Sequence, residues 1–263
     1  MWQASPSPPP PPPRGEKEEE LADEFERVTR QVAAVGATTS PDVGKKKPAA
    51  GLPVSYTAVR KFLEAADVGP FLATVVVQEP PHAGLLASLF ALCFGPPPLD
   101  GPLSSARERV FAVAKMPFDD REPMHFRMLQ SIFRRFTGTT GAVARYGAHW
   151  EEVGFQGHDP ATDLRGVGIL GLVQLLYLHN HDKRNAERLY RLSRHSVQEF
   201  PLAPLSINLT MAALTALRRG LLSREIVRRN DVLAVLNDFY VGAFYAFFAL
   251  WRCVCNLRPF SGL

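Results

Sequence analysis

The feature that most constrains the fold is a strongly apolar stretch that follows a glycine-rich turn, in residues 150–178. The segment reads WEEVGFQGHDPATDLRGVGILGLVQLLYL. Pro160 cannot continue a helix, and Thr162 or Asp163 can cap a new one. Residues 164–178 are apolar on nearly every helical face, which is typical of a helix buried in a protein interior. We therefore expect one continuous core helix over these residues.

Three glycines lie in the first turns of this predicted helix, namely Gly166, Gly168 and Gly171. Each glycine costs a helix roughly 1 kcal/mol relative to alanine. Their presence at these positions indicates that another part of the chain comes very close to the helix.

Arg165 is the charged residue in the first turn of the predicted helix, where the helix dipole disfavours a cation. A residue that breaks a local rule without an evident structural gain is often found at a functional site. Two interpretations stay open from the residues alone. Arg165 is either a functional residue, or it forms a salt bridge with Asp159 or Asp163 that fixes the loop.

The same stretch resembles the signature of the ELMO-domain family, most closely that of the short ELMO domain-containing proteins. The residues that carry the resemblance are Trp150, Val153, Gly154, Phe155, Gln156, Pro160, Thr162, Asp163, Arg165 and Gly168. Residues 200–210 and the aromatic residues 239–251 also resemble the family. The resemblance covers roughly residues 126–251.

The resemblance implies a function. The short ELMO-domain proteins activate GTP hydrolysis by Arf and Arf-like GTPases, and the arginine after their Thr-Asp-Phe motif is required. Here the motif reads Thr162-Asp163-Leu164-Arg165, so Leu164 replaces the usual aromatic residue while the arginine is kept. An arginine inserted in trans can accelerate a GTPase by on the order of 10³ to 10⁵. We therefore expect a GTPase activator that supplies Arg165 to a GTP-bound Arf-family partner and has no chemistry of its own.

The other motif residues divide into two expected groups. Some are expected to contact the partner or to support the arginine: Gln156, Asp159, Thr162 and Asp163. For Gln156, a hydrogen bond within the loop is the alternative, because most side-chain hydrogen bonds serve the local backbone. The remaining residues are expected to hold the motif together: Trp150, Gly154, Phe155, Pro160 and Gly168.

A second function stays open. Larger ELMO-containing proteins are scaffolds that partner guanine-nucleotide exchange factors and do not use this arginine. A proline-rich leader suits such a role, and Pro9, Pro12 and Arg14 fit the PxxPxR pattern that SH3 domains bind. In a run of six prolines such a match is nearly automatic. The alternative is thus a non-catalytic adaptor for an exchange factor or an SH3 protein.

The composition predicts one helical domain behind a disordered leader. Residues 1–52 are proline-rich and acidic and read as leader and linker, residues 53–257 as the domain and residues 258–263 as a tail. Cys93, Cys253 and Cys255 lack metal-ligand spacing, and their odd number without a signal peptide indicates reduced thiols. We expect a cytoplasmic protein that reaches membranes or the cytoskeleton only through its partners.

From residue 55 onward the hydrophobic pattern is helical, which predicts an all-α fold. Residues 71–77 are the one stretch that reads as a strand, with a buried connector as the equal alternative, and residues 85–94 read as a short apolar helix. Ser105 and Glu108 form a capping box that predicts a helix start. Asp182 is expected to begin a helix that carries four arginines along one side, Arg184, Arg188, Arg191 and Arg194.

Several other functions are not supported by the sequence. His179 and His181 lack a third ligand at metal-binding spacing, and no phosphate-binding loop or catalytic serine motif is present. The arginine stripe has no accompanying nucleic-acid motif, so we expect a solvated face. The aromatic residues 239–251 are fewer than the roughly 20 needed to span a bilayer, which predicts a core helix. We expect no cofactor.

Overall fold

The computed structural model describes residues 53–75 and 97–257, with side chains described as far as Trp251. In these ranges the chain folds into helices without a β-strand, which confirms the all-α class. The α-helices are α1 (Tyr56–Ala65), α2 (Gly69–Leu72), α3 (Gly101–Lys115), α4 (Pro123–Thr137), α5 (Leu170–His181), α6 (Lys183–Ser193), α7 (Leu202–Arg218), α8 (Ser223–Arg229) and α9 (Val232–Leu257). Two 3₁₀ helices, Ala148–Val153 and Pro160–Gly166, lie between α4 and α5.

The predicted strand at residues 71–77 is wrong in its described part. Gly69–Leu72 forms the short helix α2, and a turn follows it. Pro70 lies in the first turn, where a proline costs no hydrogen bond, and this favours a helical start over a strand. The predicted leader, the PxxPxR pattern, the helix at residues 85–94 and the tail lie outside the described residues.

Helix α5 is the centre of the fold, as its composition predicts. It packs against α1, α3, α4, α6, α7 and α9, so it has neighbours on every side. Leu170, Leu172, Val173, Leu176 and Leu178 are fully buried. A helix with apolar residues all round can only be accommodated in such a central position.

The prediction of one continuous helix from residue 164 is wrong. Residues Pro160–Gly166 form a 3₁₀ helix, and its axis meets that of α5 at 102°. The break falls at Gly168, whose φ of +54° lies in the left-handed region that favours glycine. The Gly168 amide donates to the Leu164 carbonyl at 2.7 Å, and the next amide, of Ile169, donates to the Met116 carbonyl at 3.0 Å. Arg165 therefore lies in the last turn of the 3₁₀ helix and not in the first turn of a core helix.

The helix starts agree with the sequence in some places and differ in others. The capping box at Ser105 and Glu108 does not begin a helix, because α3 already begins at Gly101 behind Asp100. Asp182 does begin α6, and its side chain accepts a hydrogen bond from the Asn185 amide at 3.0 Å. This is the geometry of a helix N-cap.

Helix α9 is longer than the aromatic segment at residues 239–251 suggests. Val232–Trp251 is a 20-residue window of mean hydropathy 1.6, of which 39% is buried, and it is long and apolar enough to cross a membrane. The 3₁₀ helix and α5 pass the same test if the bent pair is counted as one span. The first half of α9 lies in the core, where Leu236, Tyr240 and Phe244 are fully buried. It packs along α3, α5 and α7.

Candidate functional site

The 3₁₀ helix Pro160–Gly166 borders an open pocket of about 340 Å³. The walls come from this helix and from the C-terminal end of α3 with the segment that follows it. The pocket is lined by Lys115, Pro117, Phe118, Asp159, Ala161, Thr162, Leu164, Arg165 and Gly168. Residues of two distant parts of the sequence thus meet at Arg165.

Trp150 anchors the loop that leads to this helix. It is fully buried, and its indole N–H donates to the Arg145 carbonyl at 3.0 Å. Phe155, 3% exposed, meets the Trp150 ring edge to face with ring centres 6.1 Å apart. Between them Gly154 has a φ of +90°, and a side chain on it would begin 2.7 Å from the backbone nitrogen of Leu202. The loop therefore lies directly on the start of α7.

Asp159 is held by a charge cluster that the sequence did not reveal. Its carboxylate pairs with the Arg145 guanidinium at 2.8 Å, and Arg145 also pairs with Asp120. The Arg145 guanidinium carbon lies 4.4 Å from the ring centres of both Phe118 and Tyr146. The same Asp159 oxygen accepts the Ala161 amide at 2.9 Å and so caps the 3₁₀ helix. The cluster fixes where this helix begins.

Thr162 and Asp163 fix the helix to the preceding loop. The Thr162 hydroxyl donates to the Asp159 carbonyl at 2.8 Å. One oxygen of the Asp163 carboxylate accepts a hydrogen bond from the backbone N–H of Gln156 at 2.7 Å. The Thr162 hydroxyl lies 3.4 Å from the other oxygen of this carboxylate. The half-buried Gln156 side chain itself has no hydrogen bond to the described residues. These hydrogen bonds link all four residues to one another, and two of them, Asp159 and Thr162, line the pocket together with Arg165.

Arg165 itself is exposed, and it forms no hydrogen bond or ion pair with any residue that the structure describes. The salt bridge that the sequence left open does not form, because Asp159 pairs with Arg145 and Asp163 accepts the Gln156 amide. The backbone that carries Arg165 is nevertheless firmly placed between the buried residues Leu164 and Val167. The guanidinium is thus available at the end of a fixed 3₁₀ helix.

Lys115 brings a second cation to the pocket, and sequence reasoning missed it. It is exposed, lies in the last turn of α3 and has no ion pair within the described part of the chain. Its position depends on Gly168, because a Cβ on Gly168 would lie 2.8 Å from the Ala114 carbonyl oxygen. This is the close approach that the glycines predicted. The sequence pattern around Gly168 does not indicate that the end of α3 is the segment that packs against it.

The Asp163 carboxyl has an unusual pKa. Burial, only partly offset by the hydrogen bonds from Gln156 and Thr162, raises the pKa from 3.8 to about 6. The folded chain then holds the proton more tightly than the unfolded chain between these two values. The Asp163 contribution to stability is therefore greatest below about pH 4 and falls as the pH rises to about 6.

We predict that Asp163→Asn leaves the domain at least as stable as the wild type at pH 7.5. Asparagine keeps an oxygen that accepts the Gln156 amide and carries no charge to bury. The gain should shrink as the pH is lowered towards 4.5, which urea unfolding at the two pH values measures. Asp163→Ala, which leaves the amide without an acceptor, should instead cost about 1–3 kcal/mol. Equal losses in both variants at pH 7.5 would contradict this account of Asp163.

The structure shows no metal cluster near this pocket. In the described ranges no group of three His, Cys, Asp or Glu side chains could hold a metal ion. His179 is buried, with its ring edge-on to Phe136, whereas His181 is exposed and lies 4.0 Å from Asp238. The two histidines do not converge on one ligand position.

Comparison with known proteins adds a family to this geometry. The model of the ELMO/CED-12 family matches residues 108–255. The chain is 38% identical over 219 residues to ELMO domain-containing protein 3 of Homo sapiens, covering 82% of this chain and 57% of that protein. It is 39% identical over 201 residues to the Bos taurus protein of the same name, covering 76% and 52%. It is 32% identical over 142 residues to ELMO domain-containing protein 2 of Mus musculus, covering 53% and 48%.

The chain thus spans about half the length of the curated relatives it matches. No solved structure matches it. The family match includes both walls of the Arg165 pocket, since Lys115 and Arg165 lie within residues 108–255.

Proposed function

The chain belongs to the ELMO/CED-12 family, and from this premise we propose that it accelerates GTP hydrolysis by a small GTPase of the Arf or Arf-like family. Arg165 acts as an arginine finger in this proposal. The chain carries out no reaction by itself and completes the active site of its partner.

One observation carries the proposal: Arg165 is exposed, unpaired among the described residues and mounted on a fixed backbone. A structural arginine on a protein surface commonly pairs with a neighbouring carboxylate. Here two carboxylates lie within six residues, and both are engaged elsewhere by Arg145 and by the Gln156 amide. The arrangement leaves the guanidinium to a ligand outside the chain.

The chemistry suits an arginine in this state. In phosphoryl transfer, charge is spread over the phosphoryl oxygens, and catalysis consists mainly of positioning and electrostatic stabilisation. A guanidinium donates to two oxygens at once and stays protonated. Since the backbone around Arg165 is already ordered, little further ordering is needed when the side chain meets the phosphate.

The neighbouring residues have supporting roles in this proposal. Asp159, Thr162 and Asp163 hold the 3₁₀ helix in place through their internal hydrogen bonds. The Gln156 side chain, which has no partner in the described ranges, faces the GTPase together with Arg165. We also propose that the chain acts in the cytoplasm and meets membranes through its membrane-bound partner.

A panel of GTP-loaded Arf and Arf-like GTPases tests the proposal directly. Single-turnover hydrolysis is followed for each GTPase alone and with an excess of this chain. We expect the chain to accelerate at least one member by on the order of 10³ or more. Intrinsic rates across the whole panel, with a chain that circular dichroism shows to be helical, would contradict the proposal. Binding of a GTPase without acceleration would instead support the non-catalytic adaptor.

A further inference from the structure

We infer that the exposed face of α7 extends the Arg165 site into a docking surface for the GTPase, with Met211 at its near end and Arg218 at its far end. This inference rests on the proposed function and adds to it the surface that binds the partner. The occupant is a protein face with an apolar centre and acidic residues around it.

The 3₁₀ helix that carries Arg165 packs against α7. A Cβ on Gly166, the residue after Arg165, would lie 3.7 Å from the Met211 sulfur. Met211 is 40% exposed, so its side chain packs beside the 3₁₀ helix and still faces solvent. The surface around Arg165 therefore continues directly onto α7.

Helix α7 presents one face to solvent. Exposed residues recur along it at helical spacing, at Met211, Ala212, Thr215 and Arg218, and Arg219 follows at the helix end. Arg218 follows Met211 by seven positions, which corresponds to about 10 Å along a helix. The face is thus a strip with small and apolar residues in its first part and arginines at its end.

Helix α3 borders the surface on its other side. The Arg218 guanidinium carbon lies 5.1 Å from the centre of the Phe111 ring on α3. Lys115 lies one turn further along the same helix and lines the Arg165 pocket. The 3₁₀ helix packs against both α7 and α3, so Arg165, Met211, Arg218 and Lys115 lie on neighbouring parts of one surface.

The charge of this surface identifies the kind of partner. From Phe200 to Arg219 the sequence contains no Asp or Glu, whereas Arg218 and Arg219 are both basic. Lys115 and Arg165 add two cations at the near end. A methionine framed by arginines is typical of the residues that are enriched in protein interfaces. The complementary surface on the partner carries acidic residues around an apolar centre.

The test separates binding from catalysis. The double variant Met211→Glu/Arg218→Glu places two negative charges on the strip, at exposed positions where glutamate is a good helix former. Arg188→Glu is the matched control, because Arg188 is an exposed arginine on α6 with no hydrogen bond or ion pair to the described residues. Circular dichroism and thermal melting verify that both variants fold.

Single-turnover hydrolysis is measured over a range of chain concentrations with a GTPase that the wild type activates. We expect the double variant to raise the half-saturating concentration by about 10- to 100-fold, which is typical for the loss of interface residues that contribute strongly to binding. The maximal rate at saturation should stay within about threefold of the wild type. The Arg188→Glu control should leave both quantities unchanged.

An unchanged half-saturating concentration in the double variant would overturn the docking surface and leave the proposed function intact. If the wild type binds a GTP-loaded GTPase without accelerating it, the proposed function fails, and the same variants are then compared by direct binding. Weaker binding by the double variant alone supports the surface, and equal binding by all variants overturns it. A wild-type chain that binds no GTP-loaded member of the panel overturns it as well.

Discussion

Replacing Gly168 with alanine is expected to destabilise the domain by about 2–6 kcal/mol. Two costs add. A left-handed backbone, here with a φ of +54°, costs an alanine about 1–3 kcal/mol. The new Cβ would lie 2.8 Å from the Ala114 carbonyl oxygen, 2.9 Å from that of Val113 and closer still to that of Met116. Forcing these groups apart typically costs a further 1–3 kcal/mol.

A loss of this size is a large part of the 5–15 kcal/mol that stabilises an ordinary domain. The bulkier Gly168→Leu is therefore expected to unfold the domain outright. The substitution should also disturb the Arg165 pocket, because the Ile169 amide, next to Gly168, donates to the Met116 carbonyl at the end of α3. Loosening this junction separates Lys115 from Arg165.

Urea unfolding measures the effect, and Gly242→Ala provides the control. Gly242 lies on the exposed side of α9, and a Cβ there would meet nothing within 4 Å. Because alanine favours a helix over glycine, this control should gain up to about 1 kcal/mol. If Gly168→Ala unfolds at the same urea concentration as the wild type, the close packing between Gly168 and α3 is contradicted.

The central helix is the part of the fold that composition predicts best. Residues 170–178 are apolar apart from Gln174 and the hydroxyl of Tyr177, which leaves no polar face to solvate, so burial follows from the sequence alone. The glycines before it also predict a close approach, and the structure shows one at Gly168. Both predictions concern a local property of the chain, which a local pattern can encode.

The bend at Gly168 is a property that the local pattern does not encode. Apolar residues continue through positions 167–170 without interruption, so the sequence reads as one helix. The helix axis changes direction here because the Ile169 amide donates a hydrogen bond to the Met116 carbonyl, about 50 residues earlier in the chain. Tertiary contacts of this kind override helix propensity.

The charge cluster at Asp159 shows the same difficulty for the site. The sequence placed Asp159 as a candidate partner for Arg165, because both lie in one short motif. The structure instead pairs Asp159 with Arg145, which is held by Asp120 and two aromatic rings. An arginine five residues before Trp150 gives no signal of this pairing. The freedom of Arg165 therefore became evident only from the fold.

Replacing Arg165 with lysine is expected to abolish GTPase activation while stability and binding are retained. Lysine keeps the positive charge, so attraction to the partner persists. It loses the planar pair of donors that contacts two phosphate oxygens at once, so the stabilisation of the transition state fails. We expect stimulated hydrolysis to fall by on the order of 10² or more.

Stability provides the internal control for this variant. Arg165 is exposed and has no hydrogen bond or ion pair within the described part of the chain. Substitutions at such positions usually change stability by no more than about 0.5 kcal/mol. Arg188→Lys makes the same chemical change at another exposed arginine and should leave the activity unaltered.

The most direct test of the account is single-turnover GTP hydrolysis at a saturating concentration of the chain, compared between the wild type, Arg165→Lys and Arg188→Lys. The account predicts a loss of on the order of 10² or more for Arg165→Lys alone, with the melting temperatures of all three chains unchanged. An Arg165→Lys variant that still accelerates hydrolysis to within a few-fold of the wild type would contradict the assignment of Arg165 as the arginine finger.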